Sequence, residues 1–215
     1  MDIEYSLEEL NRLEAKSESE RTPEEQAKLE VLLMKKMEAC EKVYFYDEKG
    51  FEYIKSKEGC VLKLYNNGQT IGYGFDWMNF PNVKINYLED GSSISQEEAD
   101  RLLRITLNRL SESLNDYLKE IDANVDQATY NAMLDLCYNR SINSMTKEVV
   151  KAMAQGNDEK VQELFKDFDY KYAIKYLDMS ETEAYAFIQR NPGLEIRRKE
   201  EYNLYKYGQT EPVEN

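Results

Sequence analysis

One stretch of this chain, EGCVLKLYNNGQTIGYGFDW at residues 58–77, carries strand and turn chemistry, while nearly everything around it is helical in period. That confines any sheet to a small hairpin. Val61, Leu62, Leu64 and Tyr65 suit a strand, and Thr70, Ile71 and Tyr73 begin a return. Asn67-Gly68 between them is a strong hairpin signal, because both residues accept the positive φ angles of a tight turn. Gly72 and Gly74 let the backbone approach something closely.

The flanks are read from their periods. Phe51 to Lys57 looks like a short helix leading into the hairpin, and an irregular segment with Pro81 and a Gly91 turn follows it. Ser95 then caps a long helix with Ala99, Leu102, Leu103, Leu107, Leu110, Leu114 and Leu118 on one side. The segments QATYNAMLDLCYN, KEVVKAMAQG, DEKVQELFKDFDYKYAIKYL, ETEAYAFIQR and GLEIRRKEEYNLYKYG all keep helical spacing.

Ahead of the core, Ser6 with Glu9 forms one capping-box pattern, followed by Leu7, Leu10 and Leu13. Thr22, Pro23 and Glu25 make a second helix start, with Ala27, Val31, Met34 and Met37 or Cys40 as its apolar stripe. The expected fold is α+β and mostly helical. An acidic helical hairpin at 1–48 serves as an appendage or as a docking arm for a protein partner. The core at 49–209 has a β-hairpin lobe (49–92) and a helical lobe (93–209), and 210–215 is a tail.

Composition removes several functions. The net charge of −14, half of it in residues 1–48, argues against a broad nucleic-acid or anionic-membrane surface. No run of 18 apolar residues is present, so no membrane insertion is expected. The acidic start MDIEYSLEEL is not a secretory signal, which implies synthesis in the cytoplasm. Cys40, Cys60 and Cys137 are odd in number and widely spaced, against a disulfide framework or a cysteine zinc site. Histidine is absent, which excludes Ser-His-Asp and Cys-His hydrolases and His-ligated metals. An enzyme built from this chain must use carboxylates, and no metal or cofactor is implied.

Carboxylates that face a cleft across a hairpin suit glycoside hydrolysis, in which one protonates the leaving oxygen and the other activates water or attacks the anomeric carbon. Glu58 stands at a helix end before the hairpin, Asp76 lies at the far end of the returning strand, and Thr70 between them has a hydroxyl able to hold a water. Each also has a plain structural use: Glu58 as a surface carboxylate, Asp76 as a cap, Thr70 as a β-former.

Glu58-Gly59, followed after six positions by Asn66-Asn67-Gly68 and then Thr70-Ile71-Gly72-Tyr73-Gly74, resembles the active-site hairpin of phage-type lysozymes, the endolysin muramidases of glycoside hydrolase family 24. Downstream, ISQEEADRLLRITLNRL resembles the long helix joining that family's two lobes, and DQATYNAMLDLCYN its buried central helix, ending near the cleft at Asn139. PGLEIRRKEEYNLYKYG resembles the C-terminal helix, whose first arginine, here Arg197, approaches the catalytic acid.

The resemblance covers about residues 50–209 and implies a lysozyme-like fold with Glu58 as general acid and Thr70 positioning water. It also implies a peptidoglycan substrate, cleavage between N-acetylmuramic acid and N-acetylglucosamine with inversion, and action at the periplasm or cell wall. Three departures stand out. Asn67 occupies the place of the family's usual catalytic aspartate, the loop before Thr70 is about three residues shorter, and Phe75 replaces a histidine. The Thr70–Asp76 spacing is similar to that of the lysozyme-like toxin domain of pesticin, which implies Asp76 as the second catalytic group. The rival reading is a degenerate lysozyme fold that binds glycan. Tyr73, Trp77, Asn67, Asn139 and Arg197 complete the candidate substrate-binding set, each of them also able to serve packing or turns.

Overall fold

The computed structural model describes residues 21–29, 31, 43–66 and 68–209. The chain divides into two compact units, residues 1–43 and 44–215.

In the first unit the second expected helix start is present. Thr22 Oγ1 accepts from Glu25 N at 3.2 Å, and Glu25 Oε2 accepts from Thr22 N at 3.1 Å, so the two residues cap each other and residues 23–29 are helical. Leu29 is buried, whereas Ala27 and Val31 of the expected stripe are exposed. The Ser6–Glu9 pattern and Met34, Met37 and Cys40 lie outside the described residues.

The second unit is α+β and mostly helical. Helix α1 (Glu48–Lys57) starts under Asp47, whose side chain accepts from Gly50 N. It is followed by strands β1 (Val61–Tyr65), β2 (Thr70–Gly72) and β3 (Phe75–Asp76), which form one antiparallel sheet in the order β1-β2-β3. The sheet has three strands rather than two because the return breaks at Gly72 and Gly74, with φ of 65° and 97°, and turns back. A Cβ on Gly72 would meet Ala99 Cβ at 3.4 Å, so the bare backbone lets the sheet lie against the next helix. On the outer side of β1, Ile94 N donates to Leu62 O at 2.9 Å and Leu64 N to Ser92 O at 3.3 Å, covering that edge.

The hairpin connection differs from the tight two-residue turn expected at Asn67-Gly68. Tyr65 pairs with Thr70, leaving a four-residue loop in which Gly68 N and Gln69 N both donate to Tyr65 O. Among the described residues of the loop, positive φ angles fall on Asn66 (49°) and Gly68 (81°).

Helix α2 (Gln96–Glu120) starts at Ser95, which caps Glu98 N, and buries Leu102, Leu103, Leu107, Leu114 and Leu118. The remaining helices are α3 (Gln127–Arg140), α4 (Ser144–Ala154), α5 (Asp158–Lys166), α6 (Phe168–Tyr176), α7 (Glu181–Arg190) and α8 (Gly193–Tyr207). Helix α3 is buried along nine consecutive positions, Thr129 to Cys137, and forms the axis around which α1, α2, α4 and α8 pack. The segment DEKVQELFKDFDYKYAIKYL keeps one helical period but is split at Asp167, whose backbone (φ −132°, ψ 19°) ends α5 and begins α6. The break lets Asp169 reach Arg140 and Arg198 in the interior, a pairing that overrides helix propensity. No helix among the described residues is long and apolar enough to cross a membrane.

Candidate active site

Glu58 is the residue at which α1 ends and the chain becomes extended (φ −103°, ψ 135°). Its carboxylate is half-buried and receives a hydrogen bond from Arg197 Nη1 at 2.7 Å. Arg197 comes from the second turn of α8, and its other two edge nitrogens grip Asp135 of α3: Nη2–Oδ1 at 2.7 Å and Nε–Oδ2 at 3.0 Å. One guanidinium thus ties the end of α1 to the buried axis helix. Burial works against the Arg197 charge, but Asp135 and then Glu58 and Glu201 outweigh it, so its pKa rises above the ordinary value.

Strand register aligns the other candidates. Tyr65 opposes Thr70, and Thr70 opposes Asp76. Directly opposed residues of antiparallel strands project from one face, so Tyr65, Thr70 and Asp76 form a row across the three strands. Burial first, and the Glu58 carboxylate second, raise the Tyr65 phenol above its ordinary pKa. Tyr138 of α3 is raised in the same way, by burial first and Glu58 second, and its hydroxyl donates to Tyr73 O, which fixes α3 to the sheet. Thr70 is buried, and its Oγ1 accepts from Asn66 Nδ2 at 3.2 Å, leaving the hydroxyl hydrogen to donate elsewhere. Asp76 accepts from Met78 N at 2.9 Å and from Asn79 Nδ2 at 3.2 Å, capping the 3-10 turn Trp77–Asn79.

The candidate binding residues scatter. Tyr73 is 6% exposed, and its hydroxyl donates to Asp100 Oδ1 and accepts from Gln96 Nε2 in a network completed by Lys55. Burial and then Asp100 push this phenol up to about 12. Trp77 is exposed, with Nε1 donating to Gly68 O at 2.9 Å, so the indole is pinned to the hairpin loop. Asn139 is half-buried and accepts from Arg198 Nη2. Asn67 lies outside the described residues. A cavity of about 460 Å³ opens elsewhere, among Phe165, Phe168, Ile188, Leu194 and Tyr202; Glu58 does not line it.

The sequence reading missed Tyr65, Tyr138, Asp135 and Glu201. Two of 17 tyrosines carry no distinguishing signal. Asp135 did carry one, since it interrupts an apolar run in a helix buried on all sides, where a carboxylate must find a cation. Among the described residues, no group of three or more acidic or cysteine side chains is placed to hold a metal.

The family described as phage lysozyme matches residues 55–201, more than half of the chain. Among solved structures, the endolysin of Escherichia coli O157:H7 phage FAHEc1 is similar at 21% identity and a TM-score of 0.53, with 77% of this chain and 95% of that one covered. The muramidase domain of SpmX from Asticaccaulis excentricus is similar at 20% identity and a TM-score of 0.53, with 76% and 98% covered. None of the curated proteins matches.

Proposed function

The chain belongs to the phage lysozyme family, and from that premise we propose that it is a muramidase hydrolysing the β-1,4 bond between N-acetylmuramic acid and N-acetylglucosamine in bacterial peptidoglycan. The observation that carries this reading is the position of Glu58. It ends α1 immediately before the strands and is held by Arg197, while Thr70 and Asp76 oppose each other on the strands that follow.

In the proposed reaction Glu58 delivers a proton to the glycosidic oxygen as the bond to the anomeric carbon breaks. A water held by the Thr70 hydroxyl attacks that carbon from the opposite side and gives its proton to Asp76. One water is consumed, and the products are a reducing muramic acid end and a free N-acetylglucosamine hydroxyl. Inversion requires room for that water, with the carboxyl groups about 6.5–9.5 Å apart. The chain would act at the periplasm or cell wall, as a lysis enzyme or an antibacterial effector, with residues 1–48 as a docking arm.

A second reading is a glycan-binding module. Both Asp76 oxygens already accept hydrogen bonds, Oδ1 from Met78 N and Oδ2 from the Asn79 side chain, and Asn67 stands where the resemblance places an aspartate, which favours binding without turnover. Peptidoglycan digestion by variants separates the two. Glu58→Gln should abolish release of fragments and Asp76→Asn should nearly do so. Loss of activity on substituting Asn67, with Asp76→Asn neutral, would overturn the assignment of Asp76. No release by the unaltered protein would favour the binding module.

A further inference from the structure

Behind Arg197 lies a second carboxyl that the proposed reaction does not use. Glu201, one turn further along α8, is fully buried, as is Asp135. Glu201 Oε2 accepts from Arg198 Nη1. Its Oε1 is buried without any hydrogen-bond donor, and lies 3.7 Å from Arg197 Nε, whose hydrogen is already directed at Asp135.

Four helices, α1, α3, α6 and α8, bring polar groups to the surroundings of this carboxyl. Helix α1 supplies Tyr53, whose hydroxyl is itself buried without a partner and so is no donor to Oε1. Helix α3 supplies Asp135, Cys137 and, through Arg198, Asn139. Helix α6 supplies Asp169, bound to both Arg198 and Arg140. Helix α8 supplies Arg197 and Arg198, while its Glu200 turns outward to Lys57.

A buried acceptor with no donor is costly, and the Glu201 carboxyl lies within hydrogen-bond reach of another acceptor, the Asp135 carboxylate. The conflict disappears if Oε1 carries a proton and becomes the donor. Charge counting agrees: Glu58, Asp135 and Asp169 balance Arg140, Arg197 and Arg198 only when Glu201 is neutral. Burial first, and Asp135 after it, push the Glu201 carboxyl well above the ordinary range, against the pull of Arg198 and Arg197.

We propose that Glu201 and Asp135 share one proton and therefore one negative charge, with Glu201 the donor, and that this single charge sets how strongly Arg197 holds Glu58. Glu201 is then a positioning residue acting through Asp135 and Arg197; its relevance to catalysis rests on Glu58 being the acid, whereas the shared proton does not. Because the pair holds one charge, removing either carboxyl leaves the other to carry it. Only removal of both exposes Glu58 to an uncompensated Arg197.

The test is carbon NMR of the full-length protein with carboxyl-labelled glutamate, in the wild type, Glu201→Gln, Asp135→Asn and the double variant, with Glu58→Gln to assign Glu58. The unaltered protein should keep one un-ionised glutamate signal at pH 7. That signal should vanish in Glu201→Gln, and in Asp135→Asn because Glu201 then ionises. Glu58 should titrate near its wild-type midpoint in each single variant, and about one pH unit lower, a tenfold change in its ionisation constant, in the double variant. Absence of the un-ionised signal at pH 7 overturns the proposal without needing any variant to fold. Stepwise, additive shifts of Glu58 in the two single variants also overturn it, since they mean two full charges. The readout needs no turnover, so failure of the muramidase reading would show separately, as absence of peptidoglycan cleavage with the NMR pattern intact.

Discussion

Replacing Arg197 with methionine tests the interior that positions Glu58. The substitution keeps much of the aliphatic bulk but removes two bonds to Asp135, which is 0% exposed, and one to Glu58, which is 23% exposed. Breaking a buried pair by deleting one partner costs about 3–5 kcal/mol. The loss has a ceiling, because the variant escapes by taking up a proton on the stranded carboxylate. At pH 7, protonating a carboxyl with an ordinary pKa near 3.9 costs about 4 kcal/mol, and at pH 5 about 1.5 kcal/mol. The variant therefore folds with a carboxyl pKa raised above the unfolded value. Its stability is retained below that value and is lost as pH rises. The expected deficit is about 3–4 kcal/mol at pH 7, or about 10 °C in melting temperature for a unit of this size, shrinking to about 1.5 kcal/mol at pH 5. Circular dichroism melts of wild type and variant at both pH values give the comparison. A deficit below about 1 kcal/mol at pH 7, or one that does not shrink at pH 5, would refute the reasoning.

Two further substitutions probe the frame around the site. Gly50→Ala should destabilise by about 1–3 kcal/mol in chemical denaturation, because its Cβ would meet the Asn131 side chain, with Cγ at 2.6 Å, and Asn131 is buried and bonded to the cap residue Asp47. An effect near zero would mean that the α1–α3 crossing yields freely. Glu98 is bound by Arg101 and by Asn86, and Arg101 first, against burial and with Asn86 adding, holds its carboxyl down at about 2. That contribution is present above the ordinary value of 4.5 and disappears as pH falls towards 2. Glu98→Gln should thus cost about 2–3 kcal/mol at pH 7 and flatten the acid limb of the stability curve, read by urea titration between pH 2 and 7; an unchanged acid limb would contradict this.

Much of the architecture was legible because periodicity and capping act locally. Ser95 marked the start of the long helix, the Leu102–Leu118 stripe its buried side, and the strand residues around Leu64 and Ile71 the small sheet. What the sequence could not show depends on tertiary partners. The split at Asp167 follows from Asp169 meeting two arginines, and the wider hairpin loop follows from the Tyr65–Thr70 register. Within the site, Glu58 and Arg197 were named and do meet at 2.7 Å, while Tyr73 points its hydroxyl to Asp100 instead of to open space. The Asp135–Glu201 pair stayed hidden because two acids 66 positions apart look like ordinary helix residues until α8 is laid along α3.

The central claim is that Glu58 delivers the proton that splits the glycan chain of peptidoglycan. Its most direct test is the mass of the fragments released from purified peptidoglycan by the wild type and by Glu58→Gln. The account predicts fragments ending in reducing N-acetylmuramic acid, and none from the folded variant. Anhydro-muramic acid ends would contradict the hydrolytic step, and equal release by Glu58→Gln would contradict the role of Glu58.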